Sequence, residues 1–161
     1  MNNIEVQNLP YRLNVGIVLL NKEKNIFAGK RIDYHHSDAW QMPQGGIDKG
    51  EDPQSAALRE LEEETGISQM SVEIVTSSKE WLSYDLPLDL VPKLWGARYR
   101  GQKQKWFLMN FVGAENNINI STDDPEFSNW RWLSPSELIK NIVPFKVDVY
   151  KKVISEFSRY L

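Results

Sequence analysis

A chain of 161 residues, 41% hydrophobic and 25% charged, is long enough for one folded domain over 1–161 and too ordinary in composition for a disordered or fibrous protein. Its net charge of −3 argues against a general nucleic-acid binder, and the lack of cysteine excludes disulfides and thiolate metal sites, leaving oxygen or imidazole ligands for any metal. No apolar run reaches the roughly 18 residues of a membrane span, and "MNNIEVQNLPYRLN" lacks the basic start and apolar core of a secretory signal, so a cytoplasmic location is expected.

The first predicted element is "NVGIVLLN" (14–21), a nearly continuous apolar run of the kind found in strands covered on both faces. "NKEKN" turns the chain and "IFAGKR" returns as the second arm of a hairpin. Residues 33–53, rich in Gly, Pro and Asp, read as loop. A helix is predicted over 53–65, with Asp52 as N-cap, Pro53 in the first turn and Gly66 as the left-handed C-cap. "VEIVTSS", "EWLSYDL" and "KWFLMNFVG" read as further strands, the last of them buried. "WRWLS" is a short strand before a helix capped by Ser134, and "FKVDVYKKVISEFSRYL" closes the chain as an amphipathic helix with Val149, Val153, Phe157 and Tyr160 near one face. Strands mixed with about three helices suggest a compact α/β sandwich.

The stretch "RELEEETG" (59–66) holds four glutamates within five positions, although like charges three or four apart on a helix repel by roughly 0.2–0.5 kcal/mol per pair. On a 3.6-residue period, Ala57, Leu58, Leu61 and Thr65 form the core stripe. Glu60, Glu63 and Glu64 fall on an adjacent arc with Ala56, while Glu62 points away. A solvated acidic face is the plain alternative. Three carboxylates converging beside the buried stripe suit a hard divalent cation such as Mg²⁺ or Mn²⁺, shared with substrate phosphates.

The flanks extend the pattern. Residues 45–67, "GGIDKGEDPQSAALRELEEETGI", resemble the Nudix box: G, five residues, E, seven residues, R-E-aliphatic, one residue, E-E, one residue, G-aliphatic. Gly45, Glu51, Arg59, Glu60, Leu61, Glu63, Glu64, Gly66 and Ile67 fill every fixed position. The resemblance implies a Nudix-type α/β/α sandwich with a mixed β-sheet. It also implies an enzyme that hydrolyses a nucleoside diphosphate linked to a further moiety. It assigns Glu60, Glu63, Glu64 and a main-chain carbonyl near Gly45 to the metal, Mg²⁺ or Mn²⁺. Glu51, Arg59 and Gly66 become structural parts of the motif, with Glu51 and Arg59 as an ion pair. Either Glu63 or Glu64 would take the proton of the attacking water.

Beyond the box, "YRLNVGIVLLN", "WQMPQGGID", "GQKQKWF", "PEFSNWRWLS" and "FKVDVYKKV" are similar to the bacterial RNA pyrophosphohydrolase branch of the family. That branch converts 5′-triphosphorylated RNA to 5′-monophosphate RNA, and close relatives hydrolyse dinucleoside polyphosphates such as diadenosine tetraphosphate or pentaphosphate. The likeness carries over Glu126 as a further metal ligand or base. Arg12 becomes a substrate-contacting basic residue ahead of the first strand, Arg31 one near the phosphates and first bases, and Phe145 and Lys146 a base-stacking and phosphate-contacting pair. An exposed strand end for Arg31 and a hydrophobic staple of the last helix for Phe145 are the plain alternatives. A Nudix-fold binding module without catalysis would be expected to lose these glutamates, and all are present.

Lys93, Arg98, Arg100, Lys103 and Lys105 fall in a tract, 90–114, that holds no acid. Interleaved with Trp95, Tyr99 and Trp106, these cations could track a phosphate backbone, and Lys103 and Lys105 are therefore candidate substrate contacts. The plain alternative is an exposed hairpin kept from edge pairing by its charges. His35 and His36 are neighbours that point opposite ways in an extended segment and would not share an ion. Trp40 is near enough to the box loop to be a candidate pocket residue.

Overall fold

The computed structural model describes residues 2–32 and 39–161, so His35 and His36 lie outside the described residues. In chain order the elements are α1 (Asn3–Gln7), β1 (Tyr11–Leu20), β2 (Ile26–Arg31), β3 (Trp40–Gln41), β4 (Gln44–Gly46), α2 (Pro53–Thr65) and β5 (Val72–Ser77). There follow β6 (Leu82–Asp85), β7 (Gly101–Phe111), β8 (Phe127–Leu133), α3 (Pro135–Asn141) and α4 (Val147–Glu156). All strands join one mixed sheet in the order β3-β2-β1-β7-β5, with β4 added to β1, β6 to β7 and β8 to β2. β1 and β7 run parallel from Tyr11 opposite Gly101 to Leu20 opposite Asn110, and the other pairings are antiparallel.

The unbroken apolar run of β1 follows from its place at the centre of the sheet, covered on both sides. Val15, Ile17 and Leu19 join Phe107 and Met109 of β7 under Ala56, Ala57 and Leu61 of α2. Their neighbours Val18 and Leu20 join Trp106 and Leu108 under Leu138 of α3, Val149, Tyr150 and Val153 of α4, and Phe157 just past its end. Helix, sheet and helices thus form an α/β/α sandwich, the architecture expected from the sequence.

α2 occupies the predicted 53–65. Asp52 accepts from the Ser55 N–H (3.1 Å) at its start, and Gly66, at φ +71°, donates to Glu62 O (2.9 Å) at its end. Two differences concern short pieces. The loop expected over 33–53 contains β3 and β4, two and three residues long, whose pairing partners β2 and β1 impose the extended backbone. The closing helix is regular only over Val147–Glu156, flanked by single 3-10 turns at Pro144–Lys146 and Ser158–Tyr160.

Candidate active site

β4 lays the glycine loop across β1 and beside α2, and one arginine ties the two together. Arg59 donates from Nε and Nη2 to the two oxygens of Glu51 (2.8 and 2.9 Å) and from Nη2 to Gly46 O (2.8 Å). Glu51 also accepts from the Asp48 N–H (3.0 Å), closing the loop on itself. The Arg59 bond holds the Glu51 carboxyl below its usual range, and the Arg59 guanidinium is raised in turn, chiefly by Glu51. Such bidentate charge-assisted pairs fix geometry as well as adding energy. Arg59 Nη1 reaches further, to Glu60 (2.8 Å) and Glu63 (3.2 Å). Glu51 and Arg59 thus form the ion pair that the motif leads one to expect, and the same guanidinium extends to two of the candidate metal ligands.

Glu60, Glu63 and Glu64 line a common cavity with Gly45 and Glu126. Glu64 is 5% exposed, and the Gln44 N–H (3.3 Å) is its hydrogen-bond donor. Burial pushes its carboxyl well above the usual range, and the charges of Glu60 and Glu126 push the same way. Glu60 is also raised, mainly by burial. Gly45 sits so close to the Glu60 carboxyl that a Cβ there would collide with it, which explains a residue without a side chain at this point. Among the described residues no three acidic or imidazole groups draw together into a closed metal cage, since Glu60 and Glu63 turn to Arg59. The donor set nevertheless fits a hard cation. It is all oxygen, its carboxylates repel one another, and a buried Glu64 held by one weak amide contact would gain most from a counter-charge.

The cavity, about 370 Å³, runs from these carboxylates to a wall of cations and aromatics. Arg12, Arg31, Phe145 and Lys146, four of the substrate-contact candidates, all line it. Lys146, buried at 3% exposure, bonds Gln41 Oε1 (3.3 Å), as does Arg31 Nη1 (3.1 Å). Phe145 packs on Tyr84 with ring centres 5.8 Å apart, and Lys146 Nζ lies 5.6 Å from the same ring. Arg12 Nη1 donates to Gln102 Oε1 (2.9 Å), and Gln102 Nε2 donates to the Tyr84 hydroxyl (2.6 Å). Burial pushes Tyr84 up to about 12, so it faces the cavity as a neutral phenol.

Lys103 and Lys105 are placed elsewhere. They lie on the opposite face of β7 from Gln102 and Gln104 and do not line the cavity, and Lys105 Nζ bonds Lys79 O (3.3 Å). Trp40 packs in the core beneath the Arg131 guanidinium (4.7 Å) and does not line the cavity either. Sequence reading passed over the amide floor: Gln104 Nε2 bonds Asn14 Oδ1 (2.8 Å) and Gln44 Oε1 (3.0 Å), joining β7, β1 and β4. The only hint was polar residues at strand positions otherwise filled by Val and Leu. Asp123 and Asp124 were missed too. They share a second recess with Glu60, Glu62, Glu63, Glu64, Thr122 and Glu126.

With this geometry in view, comparison with known proteins is decisive for family. The NUDIX domain model matches residues 10–153, from just before β1 into α4. The chain belongs to the Nudix family. As a Nudix protein it is 57% identical over 157 residues to the RNA pyrophosphohydrolase of Roseobacter denitrificans, covering 98% of each chain. It is 55% identical over 150 residues to the RNA pyrophosphohydrolase of Wolbachia pipientis, covering 92% of this chain and 90% of that one. The solved Ap4A hydrolase of C. elegans shares the Nudix fold at a TM-score of 0.66 and 22% identity, over 91% of this chain and 98% of that one.

Proposed function

We propose that this chain is a metal-dependent hydrolase, a single domain working in the cytoplasm, that removes pyrophosphate from the 5′-triphosphate end of RNA. The product is a 5′-monophosphate end, a step that initiates RNA decay. One observation carries the reading: a single cavity sets Glu60, Glu63, Glu64 and Glu126 beside Arg12, Arg31 and Lys146. A polyphosphate chain needs such neighbours, cations for its oxygens and carboxylates for the ion and water that attack it. The near-full-length identity to RNA pyrophosphohydrolases supports RNA as the carrier of that chain.

Mg²⁺ or Mn²⁺ held by Glu60, Glu63, Glu64, Glu126 and a carbonyl near Gly45 would supply Lewis-acid neutralisation of phosphate oxygens. Arg12, Arg31 and Lys146 oppose the remaining charge and fix the chain against the amide floor. Water attacks phosphorus on the carboxylate side, the P–O anhydride bond breaks, and the departing phosphates carry away the electron pair. The proton of the water passes to a carboxylate oxygen. Glu63 and Glu64 are the two candidates for that oxygen: Arg59 engages Glu63 at 3.2 Å, and Glu64 takes the Gln44 N–H at 3.3 Å.

The test is conversion of 5′-triphosphorylated RNA to monophosphate ends with Mg²⁺ by wild-type protein and by Glu63→Gln. The variant should lose at least 90% of turnover with its circular dichroism unchanged, since Glu63 is 58% exposed and outside the core. Full activity in Glu63→Gln would overturn the site.

A further inference from the structure

One part of the cavity wall is built differently from the rest. Leu86, Leu90, Leu94 and Trp95 line it. To present the indole there, the backbone takes left-handed φ angles at three successive residues, Trp95 (48°), Gly96 (67°) and Ala97 (60°). Tryptophan and alanine seldom adopt positive φ, and such strain persists where the surroundings hold it. Arg98 Nε grips Trp95 O (3.2 Å), and Tyr99 meets the indole edge-on, with ring centres 6.3 Å apart.

Arg12 links this part of the wall to the chemistry. Its guanidinium lies 5.2 Å from the Trp95 ring centre, while Nη1 bonds Gln102 and the same group abuts Gly46 of the glycine loop. A phosphate held by Arg12 therefore leaves its own nucleoside within reach of Trp95. Phe145 and Tyr84 form a separate aromatic pair, reached from Arg12 through Gln102. The half-buried indole joins the leucines as an apolar stretch of the cavity wall, beside amides and charges.

We propose that Trp95, backed by Arg12 and the three leucines, is the stacking platform for the nucleobase of the nucleotide that bears the triphosphate, distinct from the Phe145 site. This rests on the RNA-end reading above. Aromatic faces stack any base, so the platform adds affinity without choosing a sequence.

The experiment compares two 5′-triphosphorylated oligoribonucleotides, one intact and one abasic at its first nucleotide. Binding is read by anisotropy of a 3′ label and hydrolysis by release of pyrophosphate. Removing the base should weaken binding by wild-type protein roughly tenfold or more and raise KM with little change in kcat. Trp95→Phe should keep that penalty. Trp95→Ala should bind both oligonucleotides alike, and Trp95→Leu, which keeps apolar bulk without an aromatic face, should do the same if the alanine variant loses its fold. A penalty in the leucine or alanine variant equal to that of wild type would overturn the platform. Base-dependent binding without hydrolysis by wild-type protein would overturn the functional reading and leave the platform standing.

Discussion

At Glu64 a single buried carboxyl couples the stability of the fold to pH. Its carboxyl, 5% exposed, is pushed well above 4.5 by burial and then by Glu60 and Glu126. A folded-state pKa above the unfolded value means that the protonated form fits the fold better. The contribution to stability is complete below the unfolded value and is lost as pH rises through the folded one. Without divalent ion, wild-type protein should therefore melt progressively earlier than Glu64→Gln as pH climbs above 4.5. Adding Mn²⁺ should raise the wild-type melting temperature and leave Glu64→Gln little changed. Parallel melting curves for the two proteins across that range, with and without ion, would refute this account. Glu64 was readable as a ligand candidate from the motif, but its burial was not. The helical period put it beside the core stripe, and only the crossing of β4 closes that arc against solvent.

At the scale of elements, α2 was the most legible part of the chain because each signal agreed: cap, proline, apolar period and closing glycine. Gly66 does double duty there. It holds φ +71°, and a Cβ would approach Asn119 O to 2.9 Å. Gly66→Ala should cost about 1–2 kcal/mol from the left-handed backbone alone, a fall in melting temperature of a few degrees. A variant as stable as wild type would show that the cap is not under that constraint. The longer strands were legible for the same reason of agreement, since β1 carries a β-branched apolar run and β7 an aromatic-rich one. β3 and β4 were not. Two or three residues show no period, and their extended form comes from hydrogen bonds to β2 and β1 that lie far off in sequence. α1 escaped notice for a similar reason: it is five residues long and buries only Val6.

The whole molecule makes the cavity from pieces that are remote along the chain. β1 gives Arg12 and Asn14, β2 gives Arg31, the glycine loop gives Gln44 and Gly45, α2 gives the glutamates, β7 gives Gln102, and the turn before α4 gives Phe145 and Lys146. The motif made the acidic half of that list legible, because its spacing lies within one helix and one loop. The amide floor was not legible, because Asn14, Gln44 and Gln104 meet only through the register of β1 between β4 and β7. Neither was the separation of Lys103 and Lys105 from the cavity, which depends on which face of β7 each residue takes. A cavity that sets acids beside cations and aromatics suits a polyphosphate attached to a nucleoside. The most direct measurement offers Mg²⁺-supplemented protein 5′-triphosphorylated RNA and diadenosine tetraphosphate in one competition and follows both. Preferential conversion of RNA to 5′-monophosphate ends is the predicted result, and preferential cleavage of the dinucleotide, with RNA ends left intact, would contradict it.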